Sequence, residues 1–136
     1  MDLSKLDWKT ILLSAAAVII FNFIFMFLVI SVYATAVATN LHTTPDQKTI
    51  SDYANSSTAF AISVASLLIF AFLVSYHIAK KKNSQNHDPA IMSSLVAIFI
   101  LVMDIGNKIS ISLGEILAIV LIFVFAGLGF YFGKRN

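Results

Sequence analysis

Two polar side chains that interrupt long apolar stretches are the residues of this sequence best placed to do chemistry. Asn22 lies about twelve residues into the first apolar stretch and is the only carboxamide inside one, and Asp104 is the only acid inside one. A polar side chain in such surroundings faces protein or water, which makes Asn22 a candidate pore or substrate contact. The structural alternative is a hydrogen bond between neighbouring helices.

Asp104 belongs to a group of charged residues close together in sequence. Lys108 follows it at the four-residue spacing that lets opposite charges pair on a helix, and Glu115 begins the next apolar stretch. One hypothesis is a vestibule that attracts cations to a pore. The alternative is an interfacial salt bridge together with a helix cap, because Ser112 and Glu115 have the spacing of a capping box.

Small residues recur at helical spacing in two of the apolar stretches. One stretch contains Ala59, Ser63 and Ser66, and another contains Gly129 and Gly133, four residues apart. Small side chains let membrane helices approach closely, which drives association where lipid offers little hydrophobic gain. One stripe could pack within the chain and the other between copies, and a serine stripe could also line a wet pore.

The sequence lacks the motifs of enzymes and cofactor sites. It contains no cysteine, and its five glycines fall between Gly106 and Gly133, with no phosphate-binding glycine loop among them. The histidines, His42, His77 and His87, are too far apart in depth to form a paired haem site. We therefore expect no enzymatic activity, no metal and no cofactor. We also expect no nucleic-acid partner, because no basic patch is large enough.

Four long apolar stretches position these residues in a chain of 136 residues that is 59% hydrophobic. A hydrocarbon core of about 30 Å needs roughly 20 helical residues, and lipid offers no hydrogen bonds to open strands. Asp88 and Pro89 are typical of a helix start, a capping acid before a proline at the first helical position. We predict an all-α fold in a single membrane domain, 1–136. It is a polytopic bundle of four transmembrane helices, at about 10–38, 57–80, 89–106 and 113–132.

The distribution of basic residues predicts the orientation of this bundle. Seven of the nine lysines and arginines fall in the two tails and the Lys80–Pro89 loop, and only Lys48 and Lys108 fall in the other loops. Cytoplasmic segments carry the excess of basic residues, so both termini should be cytoplasmic. We expect a bacterial inner membrane or an equivalent plasma membrane. The first stretch exceeds the roughly 7–15 residues of a signal-peptide core, which predicts an uncleaved anchor.

In size and number of apolar stretches, the chain resembles small four-helix multidrug exporters in outline. Those exporters depend on a glutamate deep in the first helix, where this chain has Asn22. The outline therefore implies no shared activity, and no family is assigned.

Two functions fit these observations. The first is a small integral membrane protein that forms a homo-oligomeric pore or channel-like assembly, because one copy is too small to enclose a wide pathway. The alternative is a membrane sensor, anchor or immunity-type subunit that transports nothing and works through a protein partner. Such a partner would bind the Lys80–Pro89 loop or the polar Thr39–Ser57 loop on the opposite side. In both cases the bilayer itself is a partner of the apolar helices.

Overall fold

The structure is a computed structural model that describes residues 6–42, 44–80, 88–105 and 112–135. These residues form helices and connecting turns, with no strand among them, which confirms the all-α prediction for this part of the chain. The described residues contain five helices rather than four. They are α1 (Trp8–Leu41), α2 (Gln47–Ala54), α3 (Ser57–Ala79), α4 (Pro89–Ile105) and α5 (Leu113–Arg135).

Three of the helices, α1, α3 and α5, are long and apolar enough to cross a membrane. The apolar part of α4, Pro89–Val102, is shorter. Large apolar side chains cover the outside of the molecule, and Phe27, Val102 and Leu117 are each at least 60% exposed. An apolar exterior on apolar helices indicates an integral membrane protein, because exposing so large an apolar surface to water is unfavourable.

The two helix starts expected from local sequence are confirmed. The Asp88 carboxylate accepts a hydrogen bond from the Ala90 amide at 2.8 Å, and Pro89 is the first residue of α4. At the start of α5, the Ser112 amide donates to the Glu115 carboxylate at 2.8 Å, and the Glu115 amide donates to the Ser112 hydroxyl at 3.3 Å. These reciprocal bonds form a capping box, which supplies partners for amides that have none inside the helix.

Helix α2 lies in the segment that the sequence suggested to be a polar loop. Its first turn is capped by the Asp46 carboxylate, which accepts from the Thr49 amide at 2.9 Å. The Tyr53 ring stacks on the Tyr33 ring of α1, with ring centroids 3.8 Å apart. Helix α1, about 51 Å long at about 1.5 Å per residue, therefore has an ordered partner near its end.

Contacts along α3 show the directions of its neighbours. Helix α3 is antiparallel to α1, because Asn22 bonds to Ser66, whereas Thr10, near the start of α1, lines one groove with His77 near the end of α3. Helix α4 starts beside the end of α3, where the Ser75 hydroxyl lies 3.9 Å from the Met92 sulfur. Farther along α4, the Phe99 ring contacts the Phe23 ring in the middle of α1, with centroids 6.2 Å apart, so α4 runs parallel to α1 and antiparallel to α3. Helix α5 is parallel to α3: its residues approach Phe60 at the start and Tyr76 near the end of α3.

These directions create two different ends. One end collects the start of α1, the end of α3, the start of α4 and the end of α5, together with Lys9, Lys80, Lys134 and Arg135. We call it the basic end. The opposite end carries α2 and the start of α5, and we call it the Glu115 end. Among the described lysines and arginines, only Lys48 belongs to the Glu115 end.

Candidate functional site

Asn22 and two serines of α3 form a polar cluster between α1 and α3. The Asn22 carboxamide donates to the Ser63 hydroxyl at 3.3 Å, and its oxygen accepts a hydrogen bond from the Ser66 hydroxyl. The Ser66 hydroxyl also lies 2.9 Å from the carbonyl oxygen of Ser63. The structure thus brings together three residues that the sequence singled out, one in α1 and two in α3. We call Asn22, Ser63 and Ser66 the Asn22 cluster.

The position of Asn22 follows from the side of α1 that faces the protein. Ile11, Ala15 and Val18 of α1 are buried, at most 4% exposed. They recur three or four residues apart, the spacing of one helical face, and Asn22 continues that spacing by four. Ser66 is 4% exposed, so its hydroxyl is withdrawn from lipid. The hydrogen bonds of the Asn22 cluster therefore provide partners for polar groups that lipid would leave without any.

A polar cavity of about 520 Å³ opens at the Glu115 end. It is enclosed by α1, α2, α3 and the start of α5, and its lining is rich in hydroxyl and amide groups. The lining residues are Met26, Ala54, Asn55, Ser56, Ser57, Ala59, Phe60, Ser63, Ser112 and Glu115. A volume of 300–1,000 Å³ is the usual range for small-molecule sites, and the polar lining makes this cavity suitable for water and small polar solutes.

Glu115 is the acidic residue of the cavity lining and is only 7% exposed. Its carboxylate accepts from the Ser112 amide in the capping box. It lies in the first turn of α5, where the free amides of a helix make the local potential positive and stabilise an anion. The chain therefore holds a buried carboxylate, hydrogen-bonded to the start of α5, at the edge of the polar cavity.

Ser63 connects the polar cavity to the Asn22 cluster. Its side chain lines the cavity and also accepts the hydrogen bond from Asn22. Ser63 is six residues and Ser66 nine residues from the first residue of α3, which places them about 9 Å and about 14 Å along a helix of about 35 Å. The polar groups therefore extend from the Glu115 end almost to the middle of α3.

The other half of the bundle is closed by an apolar core. Ile11, Ala71, Met92 and Ala126 have no exposed surface and come from the four long helices, between the Asn22 cluster and the basic end. Buried hydroxyls in that half have partners nearby: Ser14 donates to a carbonyl of its own helix. Close apolar packing of this kind excludes water. The polar path thus ends at the Asn22 cluster.

The two small-residue stripes both pack inside the chain. A methyl group added at Gly129 would lie 2.9 Å from the Phe72 carbonyl carbon, and one added at Gly133 would lie 2.5 Å from the Tyr76 oxygen. The Gly129–Gly133 stripe therefore lets α5 approach the backbone of α3. In the other stripe, Ala59 is 1% exposed, and both serines contact Asn22.

Of the three charged residues that the sequence singled out, the structure describes the side chain of Glu115 alone. Asp104 belongs to the last turn of α4, but its side chain and all of Lys108 lie outside the described residues, as does their expected ion pair. Glu115 lines the polar cavity and caps α5. Within the described part of the chain, no group of three or more histidines, aspartates or glutamates could hold a metal ion.

Sequence reasoning missed the polar cavity as a unit. Asn55 and Ser57 fell within the polar Thr39–Ser57 loop and Met26 within the first apolar stretch, and none of them was assigned a role. A signal was present in the run from Asn55 to Thr58, where four polar residues precede an apolar helix. Without the position of α2 and α5, that run could not be assigned to an enclosed surface.

Comparisons with known proteins provide no relative from which to carry over a role. No protein-family model, no curated protein and no solved structure matches this chain.

Proposed function

We propose that this protein is a small channel-like membrane protein that passes cations or small polar solutes. The observation that carries the proposal is the polar cavity, which joins a buried carboxylate at Glu115 to the Asn22 cluster through Ser63. A solute would lose water on entering, and the hydroxyl and amide groups along this path would replace part of its hydration. The apolar core between the Asn22 cluster and the basic end acts as the closed gate.

Helix directions support four membrane crossings. Because α3 and α5 run parallel, a chain that crosses in α3 must return before it can cross again in α5. Helix α4 runs in the return direction and is about 26 Å long, close to the hydrocarbon thickness of about 30 Å. We propose α4 as the fourth span.

The collection of basic residues supports cytoplasmic termini. Lys9, Lys80, Lys134 and Arg135 gather at the basic end, whereas Lys48 is at the Glu115 end. Positive residues favour the cytoplasmic side, so the polar cavity would open to the non-cytoplasmic side. A single cysteine at Gln47, in a chain with none of its own, tests this. A membrane-impermeant thiol reagent should label it from the non-cytoplasmic side, and labelling from the cytoplasm alone would overturn the orientation.

Homo-oligomerisation remains a prediction of the sequence. It was based on the small size of one copy and on a small-residue stripe available to a second copy, and both stripes pack within one chain. We therefore propose that the pathway begins inside each chain, whether or not copies associate. Native mass spectrometry of the purified protein would measure the number of copies directly.

Cation flux through proteoliposomes tests the proposed activity. We expect K⁺ efflux from liposomes that contain the protein to exceed efflux from empty liposomes. Replacing Glu115 by Gln should lower K⁺ efflux by about tenfold, the lower range for the effect of charge on ion concentration in a cleft. Glutamine retains a side-chain oxygen that can complete the capping box, so the substitution removes charge with little effect on the start of α5.

Asp52 provides the matched control, because it is an exposed acid at the same end of the molecule and does not line the cavity. The Asp52→Asn variant should keep the K⁺ efflux of the unmodified protein. Equal efflux from Glu115→Gln and the unmodified protein would overturn the assignment of the path to the polar cavity. Choline efflux is measured in the same way as K⁺ efflux. If liposomes with the unmodified protein release neither K⁺ nor choline faster than empty liposomes do, the channel proposal is wrong.

The ordered element around α2 supports a second candidate, the sensor, anchor or immunity-type subunit that acts through a partner. The Tyr33–Tyr53 stack fixes α2 against α1 and presents a polar surface at the Glu115 end. A partner would then bind this surface, as an alternative to the Lys80–Pro89 loop. Co-purification of a protein with the unmodified chain but not with Tyr53→Ala, together with absent flux, would favour this function.

A further inference from the structure

A second concave surface lies between α1 and α3 in the basic half, on the opposite side of the Asn22 cluster from the polar cavity. This apolar groove has a volume of about 500 Å³. Most of its lining is hydrocarbon, contributed by Leu13, Ala17, Phe21, Phe70, Leu73 and Val74. Its shape and composition fit an apolar chain rather than water or an ion.

The hydroxyl groups of Thr10 and Ser14, at the basic end of the groove, form hydrogen bonds within α1 and its cap. The Thr10 amide donates to the Asp7 carboxylate at 3.1 Å and its hydroxyl donates to the same carboxylate at 2.5 Å. The Ser14 hydroxyl donates to the Thr10 carbonyl. Asp7 therefore caps α1, and the groove presents hydrocarbon to an occupant.

Two exposed lysines lie near the basic end of the groove, where the Asp7 carboxylate caps α1. Lys9 is exposed and immediately precedes Thr10, and Lys80 is exposed just beyond the end of α3. The Lys80 ammonium lies 4.8 Å from the centre of the Tyr76 ring, which holds it near the helix end. His77, also exposed, is part of the lining itself. An apolar groove with two exposed lysines near its basic end matches a molecule with an apolar chain and an anionic head.

We propose that this groove binds one anionic phospholipid, with an acyl chain against Leu73 and Ala17 and the phosphate near Lys9 and Lys80. Lysines at a membrane surface attract anionic lipid by about 1 kcal/mol each. A second copy of the chain is a poorer occupant. Copies in one membrane share an orientation, so each would bring its basic end toward the other, and like charges repel.

Lipid retention in native mass spectrometry tests the contribution of charge. Protein from nanodiscs of equal parts phosphatidylglycerol and phosphatidylcholine should retain one phosphatidylglycerol in preference to phosphatidylcholine. Lys80→Gln should reduce that preference by about fivefold, the equivalent of about 1 kcal/mol. Lys48→Gln, at the other end of the molecule, is the matched control and should leave the preference unchanged. Equal retention of the two lipids by the unmodified protein would overturn the proposal.

Filling the groove tests its contribution separately. Ala17 lines the groove, whereas the adjacent Ala16 is exposed on the outside of α1. Ala17→Phe should abolish retention of the bound phosphatidylglycerol, and Ala16→Phe should retain it. The helix content of both variants is checked by circular dichroism, and the lipid is assayed on the folded fraction. Full retention by folded Ala17→Phe would place the lipid elsewhere and refute the groove as its site. This inference does not depend on the channel proposal.

Discussion

Replacement of Gly129 by alanine should destabilise the bundle because it separates α5 from α3. The added methyl carbon would lie 2.9 Å from the carbonyl carbon and 3.0 Å from the Cα of Phe72, and closer still to the Phe72 oxygen. These are backbone atoms, so no side-chain rotation relieves the contact. Overpacking of a core typically costs about 1–3 kcal/mol, and a backbone contact places the steric cost of Gly129→Ala near about 3 kcal/mol.

The matched control is Gly127, in the same helix. An added methyl group there meets no atom within 4 Å. Alanine is favoured over glycine in a helix by about 1 kcal/mol, a gain that both substitutions share. Gly127→Ala should therefore stabilise the protein by up to about 1 kcal/mol, and the difference between the two variants isolates the steric cost of about 3 kcal/mol.

The free energy of unfolding can be measured in mixed micelles by titration with sodium dodecyl sulfate. Near-ultraviolet circular dichroism reports the loss of aromatic packing, which includes the Phe72–Phe132 contact at 6.5 Å. Gly133→Ala should be destabilised like Gly129→Ala, because its methyl group would lie 2.6 Å from the Ala79 Cβ. Equal unfolding free energies for Gly127→Ala and Gly129→Ala would refute the close approach of α3 and α5.

Three further outcomes follow from other contacts. Asn22→Leu removes two hydrogen bonds to α3 and should lower the free energy of unfolding by about 1 kcal/mol, since such bonds average about 0.6 kcal/mol in membranes. Unfolding in mixed micelles measures this change, and an unchanged free energy would contradict the hydrogen bonds of the Asn22 cluster. Asp88→Ala removes the cap of α4 and should cost about 1 kcal/mol in the same assay, whereas Asp88→Asn, which can still cap, should cost less. A side-chain hydrogen bond from Thr49 lowers the pKa of Asp46, so the Asp46 cap of α2 is present at neutral pH and is lost as the pH falls through that lowered pKa. The amide NMR shift of Thr49 should titrate with a midpoint below the usual aspartate value of about 3.9, and a midpoint above that value would contradict the hydrogen bond.

The sequence was sufficient to predict the all-α fold, because each apolar stretch is long and hydrophobic on all sides. The starts of α4 and α5 were also predictable, since their caps at Asp88 and Ser112 depend on residues two or three positions away. Helix α2 was not predictable in this way. Only eight residues long, it is too short to be stable alone, and it packs on α1 through the Tyr33–Tyr53 stack.

The candidate site was predictable as residues and not as an arrangement. Asn22, Ser63 and Ser66 were each marked by their chemistry, yet nothing in the sequence paired them. A helix that is apolar all round gives little indication of which face points inward, so its rotation depends on packing with its neighbours. The same reason explains Gly129. Its smallness predicted a close approach, whereas the partner, the backbone at Phe72, required the structure.

In the proposed channel, water reaches Ser63 from the Glu115 end and stops before the apolar core. Single cysteines introduced at Ser63 and at the fully buried Ser75 of the same helix test it in a chain that has no cysteine. Both variants are treated in proteoliposomes with a small membrane-impermeant cationic thiol reagent. We expect the reagent to modify the Ser63→Cys thiol and to leave the Ser75→Cys thiol unmodified. Protection of both thiols in folded protein would contradict this expectation.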